Sequence, residues 1–494
     1  MQRTALARIL ARLAPQRGFV LPLALATMSV LGIVITSALY YATRNFTSSA
    51  HSSANQDAYT LAEAGINNAM AVLSNPDNNA VNPSLLPSSV DAANVSTYTD
   101  GFVKWWGTLD LRTTTWSLSA TGYVRNPASP GGYTTRTIGV TTHVRASFMY
   151  PANNPAWNYI MSLQTGSPSG CDMSLENSMN MQSPLYVAGN LCLQTPSQVS
   201  AGPLVVRGSM KLDVNTNVGS AAAPISEAHV GLGCSYKGGS WNSPCSSSDK
   251  VWAQVSDANP PLITPPTANM DYWYANASPG PRIPCSIVSG TPPTLDNDNV
   301  RNTSVTTVFN LTPPTSDYTC KTAGGELSWN HTTKILTLLG TIFIDGSVSV
   351  NYGYQNVPIQ YNGQAALYLS GTFLVSNTKF CGGISSDGTN CDFNAWNPNT
   401  EMLVVVANGL GGQVPAGDSI QVVNGYFQGG LFASGGAIEL DTTSNVEGPE
   451  IANTEIIGQK VTAHAFPLIT EIPVGAPGVP VVYAQPDPPS GYTG

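Results

Sequence analysis

An α+β chain is what this sequence predicts: one long N-terminal helix, a small antiparallel β-sheet, then a large, mainly-β domain of β-solenoid-like build. Three observations predict it. Residues 18–43 hold no charged side chain. Residues 102–144 contain two runs that alternate on either side of a turn. Four later segments share one glycine-centred pattern. Composition agrees, because charged residues are only 10% of the 494, against roughly 25% in ordinary soluble domains. Gly 46 and Pro 37 favour short strands and turns over long surface helices.

The helix comes first. Residues 18–43 number 26, which as a helix run roughly 39 Å and cross a ~30 Å hydrocarbon core with some tilt. A secretory signal has an apolar region of only ~7–15 residues and a small-residue cleavage site. This stretch is longer and no such site follows it, so an anchor is expected rather than a removed signal. The helical pattern continues through Leu61, Ile66, Ala69, Met70 and Leu73. Ala62, Ala64 and Gly65 lie between them and suit close helix approach. "SNP" at 74–76 is a stop signal. Pro22 is costly inside a helix but not in its first turn. It therefore fits a helix that starts near Phe19, as it would after a cut between Gly18 and Phe19.

"RGF" followed by a long apolar helix resembles the type IV prepilin signature: basic leader, Gly, cleavage, then Phe. "AYTLAEAGINNAM" at 58–70, which includes Glu63, resembles the AEAG segment of PilX-type minor pilins. The resemblance covers residues 12–75 and, more loosely, the chain to about 145. It implies that a prepilin peptidase cuts after Gly18 and N-methylates Phe19. It also implies that the helix packs with other pilins or pseudopilins in a filament core. One position departs from the family. Pilins usually carry Glu at the fifth mature residue, and here that residue is Leu23. An acid in lipid is retained only with a partner. Its absence resembles the tip subunit of type II secretion pseudopili.

Charge placement fits that reading. Residues 1–18 carry Arg3, Arg8, Arg12 and Arg17 and no acid. The net −9 includes this +4, so the remaining residues carry −13. A basic leader stays cytoplasmic, which makes this a single-pass cytoplasmic-membrane protein with an extracytoplasmic body. The acidic body argues against nucleic acid as a partner.

The expected domain order is a basic leader at 1–18, a transmembrane and assembly helix at 19–75 and a pilin-like sheet head at 76–150. A solenoid-like domain follows at 151–471, interrupted by a Pro- and Cys-rich excursion at 230–335. A Pro-rich tail, extended or disordered, closes the chain at 472–494. In the sheet head, Trp116, Leu118, Ala120, Gly122 and Val124 alternate, as do Ile138, Val140, Thr142 and Val144. Trp105 and Trp106 are expected to cap that core.

The glycine-centred pattern, apolar-x-apolar-x-Gly-x-apolar-x-apolar, occurs in "LYVAGNLCL" (185–193), "LVVRGSMKL" (204–212), "IFIDGSVSV" (342–350) and "LYLSGTFLV" (367–375). "YFQGGLFASGGAIEL" (426–440) is a looser relative. A strand pair bent at Gly and repeated at this spacing suits stacked turns of a solenoid. A β-sandwich would also give short alternating strands. Within the excursion, Tyr272, Trp273 and Tyr274 are either an exposed binding patch or a local core.

Cys171, Cys192, Cys234, Cys245, Cys285, Cys320, Cys381 and Cys391 are the eight cysteines, none in CxxC spacing. Outside the membrane they are disulfide candidates. Pairing of sequence neighbours (171–192, 234–245, 285–320, 381–391) is one of 105 connectivities. Buried free thiols are the alternative.

Nothing in the sequence marks an active site. His51, His143, His229, His331 and His464 have no metal-ligand spacing, so no metal or cofactor is expected and no enzymatic role. "DNDN" at 296–299 has Val300 and Arg301 where a calcium loop needs an oxygen ligand and Gly. Asp213 and Asp345 are the candidate acids of a glycan-cleaving face. The function expected first is a low-copy minor pilin or pseudopilin near a filament tip. Its large head would serve adhesion, with a surface glycan or other cell-surface ligand as partner, or priming of assembly. The alternatives are a membrane-anchored adhesin outside any filament and a tethered solenoid enzyme acting on glycans.

Overall fold

The computed structural model describes residues 20–75, 78, 80, 83–110, 115–126, 131–146, 149–167, 170–277, 286–289, 308–321, 325–351, 357–393, 396–479 and 484–494. The chain divides into two compact units. One holds the helix to Leu73, Pro83–Val144 and Pro486–Gly494; the other holds Ser74–Asn82 and Arg145–Gln485.

The first unit is a helix on a sheet. A single helix runs Val20–Ser74. Its buried residues are Ala54, Ala58, Ala62, Gly65, Ile66, Ala69 and Leu73, all from its C-terminal part. They recur every three to four residues, as one face of a helix must. Strands Asn94–Tyr98, Gly101–Asp110, Thr115–Arg125 and Tyr133–Ala146 form an antiparallel meander. Trp116, Leu118, Ala120 and Val124 point into the core, and Trp105 joins them. Trp106 is half-buried.

Helix and sheet meet through missing side chains. A Cβ added to Gly122 would lie 2.1 Å from the Ala58 carbonyl oxygen, and one added to Gly65 would lie 2.5 Å from Val103 Cγ2. The small residues expected to admit a neighbouring helix thus divide. Ala62 and Gly65 are buried in this helix–sheet contact, Ala64 is half-buried, and Glu63 is exposed.

The second unit is large and built mainly of parallel strands. The chain runs in circuits of three short strands, such as Asn180–Met181, Leu185–Val187 and Leu191–Leu193. The next circuit lies on it strand for strand, with Gln198 beside Asn180, Leu204 beside Leu185 and Met210 beside Leu191. Later circuits repeat this, with Leu367 beside Ile342, Val405 beside Leu367 and Leu431 beside Val405. All four glycine-centred segments occupy equivalent positions, each a strand, a corner and a second strand. At the corner, a Cβ on Gly371 would lie 2.6 Å from the backbone of Gly346, and one on Gly208 2.6 Å from Gly189 O. Backbone stacks on backbone there, so only glycine fits.

Order in the stack differs from order in the chain. The last circuit docks on the first: Glu450 pairs with Ile160, Ile457 with Ser174 and Thr462 with Asn180. The chain thus enters mid-stack near residue 160, builds to one end, and resumes at the other end, where Val308–Asn310 pairs parallel with Ser347–Val350. From there it builds back to the starting circuit. The excursion is shorter than expected at its start, because Cys234–Tyr236 and Ala253–Asp257 still pair parallel in the stack. Toward its end, Asp317–Lys321, Gly325–Asn330 and Ile335–Ile344 form an antiparallel meander.

One face of the stack is apolar on both sides. Leu185, Val187, Leu204 and Val206 fill the interior, while Tyr186, Val205, Phe343 and Tyr368 point outward yet are buried. The cover comes from Trp157, Ile263, Met270, Trp273, Ile469 and Ile472. Trp273 lies 5.7 Å from Tyr368 and Tyr274 5.4 Å from Phe343, centroid to centroid. The aromatic trio is therefore part of this cover rather than an exposed patch.

Disulfides join Cys171–Cys192, Cys234–Cys245 and Cys381–Cys391. Cys320 is disulfide-bonded as well, and Cys285 lies outside the described residues. The 472–494 segment contributes strands: Glu471–Pro473 pairs with Met149–Pro151, and Ser490–Thr493 pairs with Tyr133–Ala146. Ser490–Thr493 thus extends the sheet of the first unit, and the larger segment of the second unit, Arg145–Gln485, is inserted in the chain between these two neighbouring strands.

Candidate functional site

The N-terminal part of the helix is the most conspicuous candidate. From Val20 to Ser49 its residues are exposed apart from the half-buried Ala24. Leu21, Met28, Ile33, Leu39 and Phe46 are each more than 60% exposed. Mean hydropathy over the best window is 2.1, and none of that window is buried. The helix is long and apolar enough to cross a membrane.

Five of its hydroxyls are turned onto its own backbone. The hydroxyls of Thr27, Ser29, Thr36, Thr43 and Thr47 donate to the carbonyls four residues earlier, at 2.6–3.0 Å. In water such bonds gain little. In hydrocarbon they remove donors that nothing else would satisfy. Pro22 stands in the first described turn, and Leu23 beside it is 54% exposed. Gly18 and Phe19 lie outside the described residues, as do residues 296–301 with the DNDN run.

The stack brings together carboxylates that the sequence does not single out. Glu450 is 1% exposed, and among the described residues neither carboxyl oxygen has a hydrogen-bond partner. Its strand alternates so that Ile451 faces the outer cover and Ala452 the interior. Glu450 therefore shares the interior side, in register with Leu431 and Ile160. Burial pushes its carboxyl up to about 8. Glu447 is also buried, and its Oε2 accepts from the Gln428 amide at 2.8 Å. Burial raises it to about 8 against the pull of that bond. Asp418 reaches about 7 through burial and the neighbouring Glu439 and Glu455.

Elsewhere, His229 sits between two acids. Its Nδ1 is 2.9 Å from Asp257 Oδ1 and its Nε2 2.9 Å from Glu227 Oε2. Burial opposes the charged imidazole, but the two carboxylates outweigh it and raise its pKa. Asp213 is exposed, and Asp345 is 8% exposed with Oδ1 accepting from the Ser370 hydroxyl at 2.5 Å. They lie toward opposite ends of the stack, so they do not form a cluster. Among the described residues no three His, Cys, Asp or Glu side chains converge as metal ligands.

No family model, curated protein or solved structure matches this chain.

Sequence reasoning missed the buried acids because strand periodicity is silent about partners. A charged residue in a mostly apolar strand, as in "EIA" at 450–452, is the only signal it offered.

Proposed function

We propose that the chain is a minor pilin or pseudopilin, a low-copy subunit near the tip of a type IV pilus-like filament. One observation carries the reading. A single helix leaves its apolar N-terminal part wholly uncovered and seats its C-terminal part on a small antiparallel sheet. Such a helix needs a second solvent, first a bilayer and then the core of a filament. The prepilin-like "RGF" and AEAG segments lie at the matching positions. Leu23 in place of the usual acid favours a subunit at an end of the filament.

The inserted unit is the head. We read its stacked circuits as a β-solenoid, which presents a broad surface while needing few charged residues. Its bulk suits a single copy rather than a repeating shaft, and its outputs are adhesion or the priming of assembly. Disulfides support a head outside the cytoplasm, where thiols are oxidised. The other subunits, the membrane and the prepilin peptidase are its partners.

Mass spectrometry of the mature chain tests the reading. An N-methylated Phe19 is expected, and its loss in cells lacking the peptidase. An intact leader, or a terminus other than Phe19, overturns it.

A further inference from the structure

The second unit holds a cavity of about 570 Å³ where the chain enters and leaves the stack. Three segments far apart in sequence form it, 150–157, 262–264 and 472–479. They are tied together before any ligand arrives. The Asn154 side chain accepts from Ala156 N at 2.9 Å and donates to Thr264 O at 3.1 Å. Tyr150 pairs with Ile472, and Gly478 N donates to Thr267 O. The volume lies within the range of preformed ligand pockets, roughly 300–1,000 Å³.

The lining excludes most ligand classes. Among the described residues it contains no Asp, Glu, Lys, Arg or His, so no charged side chain is there to pair with a phosphate, a carboxylate or a cation. It is not simply greasy either. Among the described residues the Asn153 amide and the Thr264 hydroxyl make no hydrogen bond, and both residues are exposed. Trp157 forms part of the wall but is 0% exposed, so it backs the pocket and its indole N–H lies out of a ligand's reach. Beside these groups stand the apolar surfaces of Tyr150, Leu262 and Val479.

The geometry points to a binding site for a neutral saccharide. Such a ligand has hydroxyls that both donate and accept, apolar C–H faces for ring and aliphatic contacts, and no charge. The inference goes beyond the filament reading and does not depend on it, because binding is measured on the purified full-length protein in detergent.

The test is a glycan array, followed by titration calorimetry with the neutral disaccharides that bind. Selective binding of neutral glycans is expected, weakened at least tenfold by Asn153→Ala and by Thr264→Val, which keeps the shape but removes the hydroxyl. Both residues are on the surface, so each variant remains informative if the other misfolds. Absence of neutral-glycan binding, preference for acidic glycans or for a proline-rich peptide probe, or unchanged affinity in Asn153→Ala overturns the proposal. Either failure leaves the Phe19 test untouched.

Discussion

The helix and the parallel stack break the same rule in opposite directions. Along Val20–Ser49 the helix turns Leu, Ile, Val and Phe outward with nothing over them. In the stack, Glu450, Glu447 and Asp418 are buried, and Glu450 has no hydrogen-bond partner among the described residues. Each inversion has its own remedy. Exposed apolar surface is relieved only by material outside the chain, a bilayer or neighbouring helices. A buried unpaired carboxyl is relieved by a proton. One region thus responds to what surrounds the protein, the other to pH.

The largest effect should come from the buried acid. The folded pKa of Glu450, about 8, lies above its ordinary value of 4.5. The folded chain keeps a proton that the unfolded chain releases. Stability is therefore full below pH 4.5 and falls as pH rises toward 8, by roughly 5 kcal/mol for a fully buried carboxyl. Glu450→Leu should remove this share of the slope, while Glu447 and Asp418 keep theirs, and raise the melting temperature most at alkaline pH. Thermal unfolding across this window measures it. A variant with the parent's slope would mean that the stack does not hold Glu450 as an unpaired acid.

The helix gives the converse test. Leu31 is 63% exposed, and Leu31→Asp should weaken membrane insertion by about 3 kcal/mol. The protein should shift from the membrane to the soluble fraction while the melting of its sheet stays put. A drop in sheet stability would show that this part of the helix is covered after all.

Smaller changes mark where the helix stops being inverted. Gly122→Ala puts a methyl against the Ala58 backbone and should destabilise the first unit by about 1–3 kcal/mol, read by denaturant melts. Asn68 donates to Ser96 Oγ and Tyr98 OH, both at 3.1 Å. Asn68→Ala should cost about 1 kcal/mol. Neither change should alter membrane partitioning.

Much of the local structure was legible because it repeats. The helix was readable from its uncharged run and its 3.6 period, and the alternating strands of the small sheet from theirs. The glycine corners were readable because "AGN", "RGS", "DGS" and "SGT" recur at the same place in the pattern. Partners were harder to read. Ala62 and Gly65 look the same whether they admit a helix or a sheet. Tyr272, Trp273 and Tyr274 look the same whether they are exposed or serve as cover. The excursion's early part was misassigned because its proline and cysteine content hides the strands of residues 234–236 and 253–257.

By itself, then, the sequence determined the elements: a helix too apolar for water, an alternating sheet, and circuits that bend at glycine. Local periodicity and steric limits set these, and neither needs a distant partner. Only the tertiary structure decided which strands became neighbours. It brought Glu450 beside Ile160, seated the last circuit on the first, and returned Ser490–Thr493 to the sheet that the chain had left at residue 146. Parallel backbone pairing is nearly indifferent to sequence separation. The choice among such pairings rests on how the buried side chains of the whole unit fill its interior.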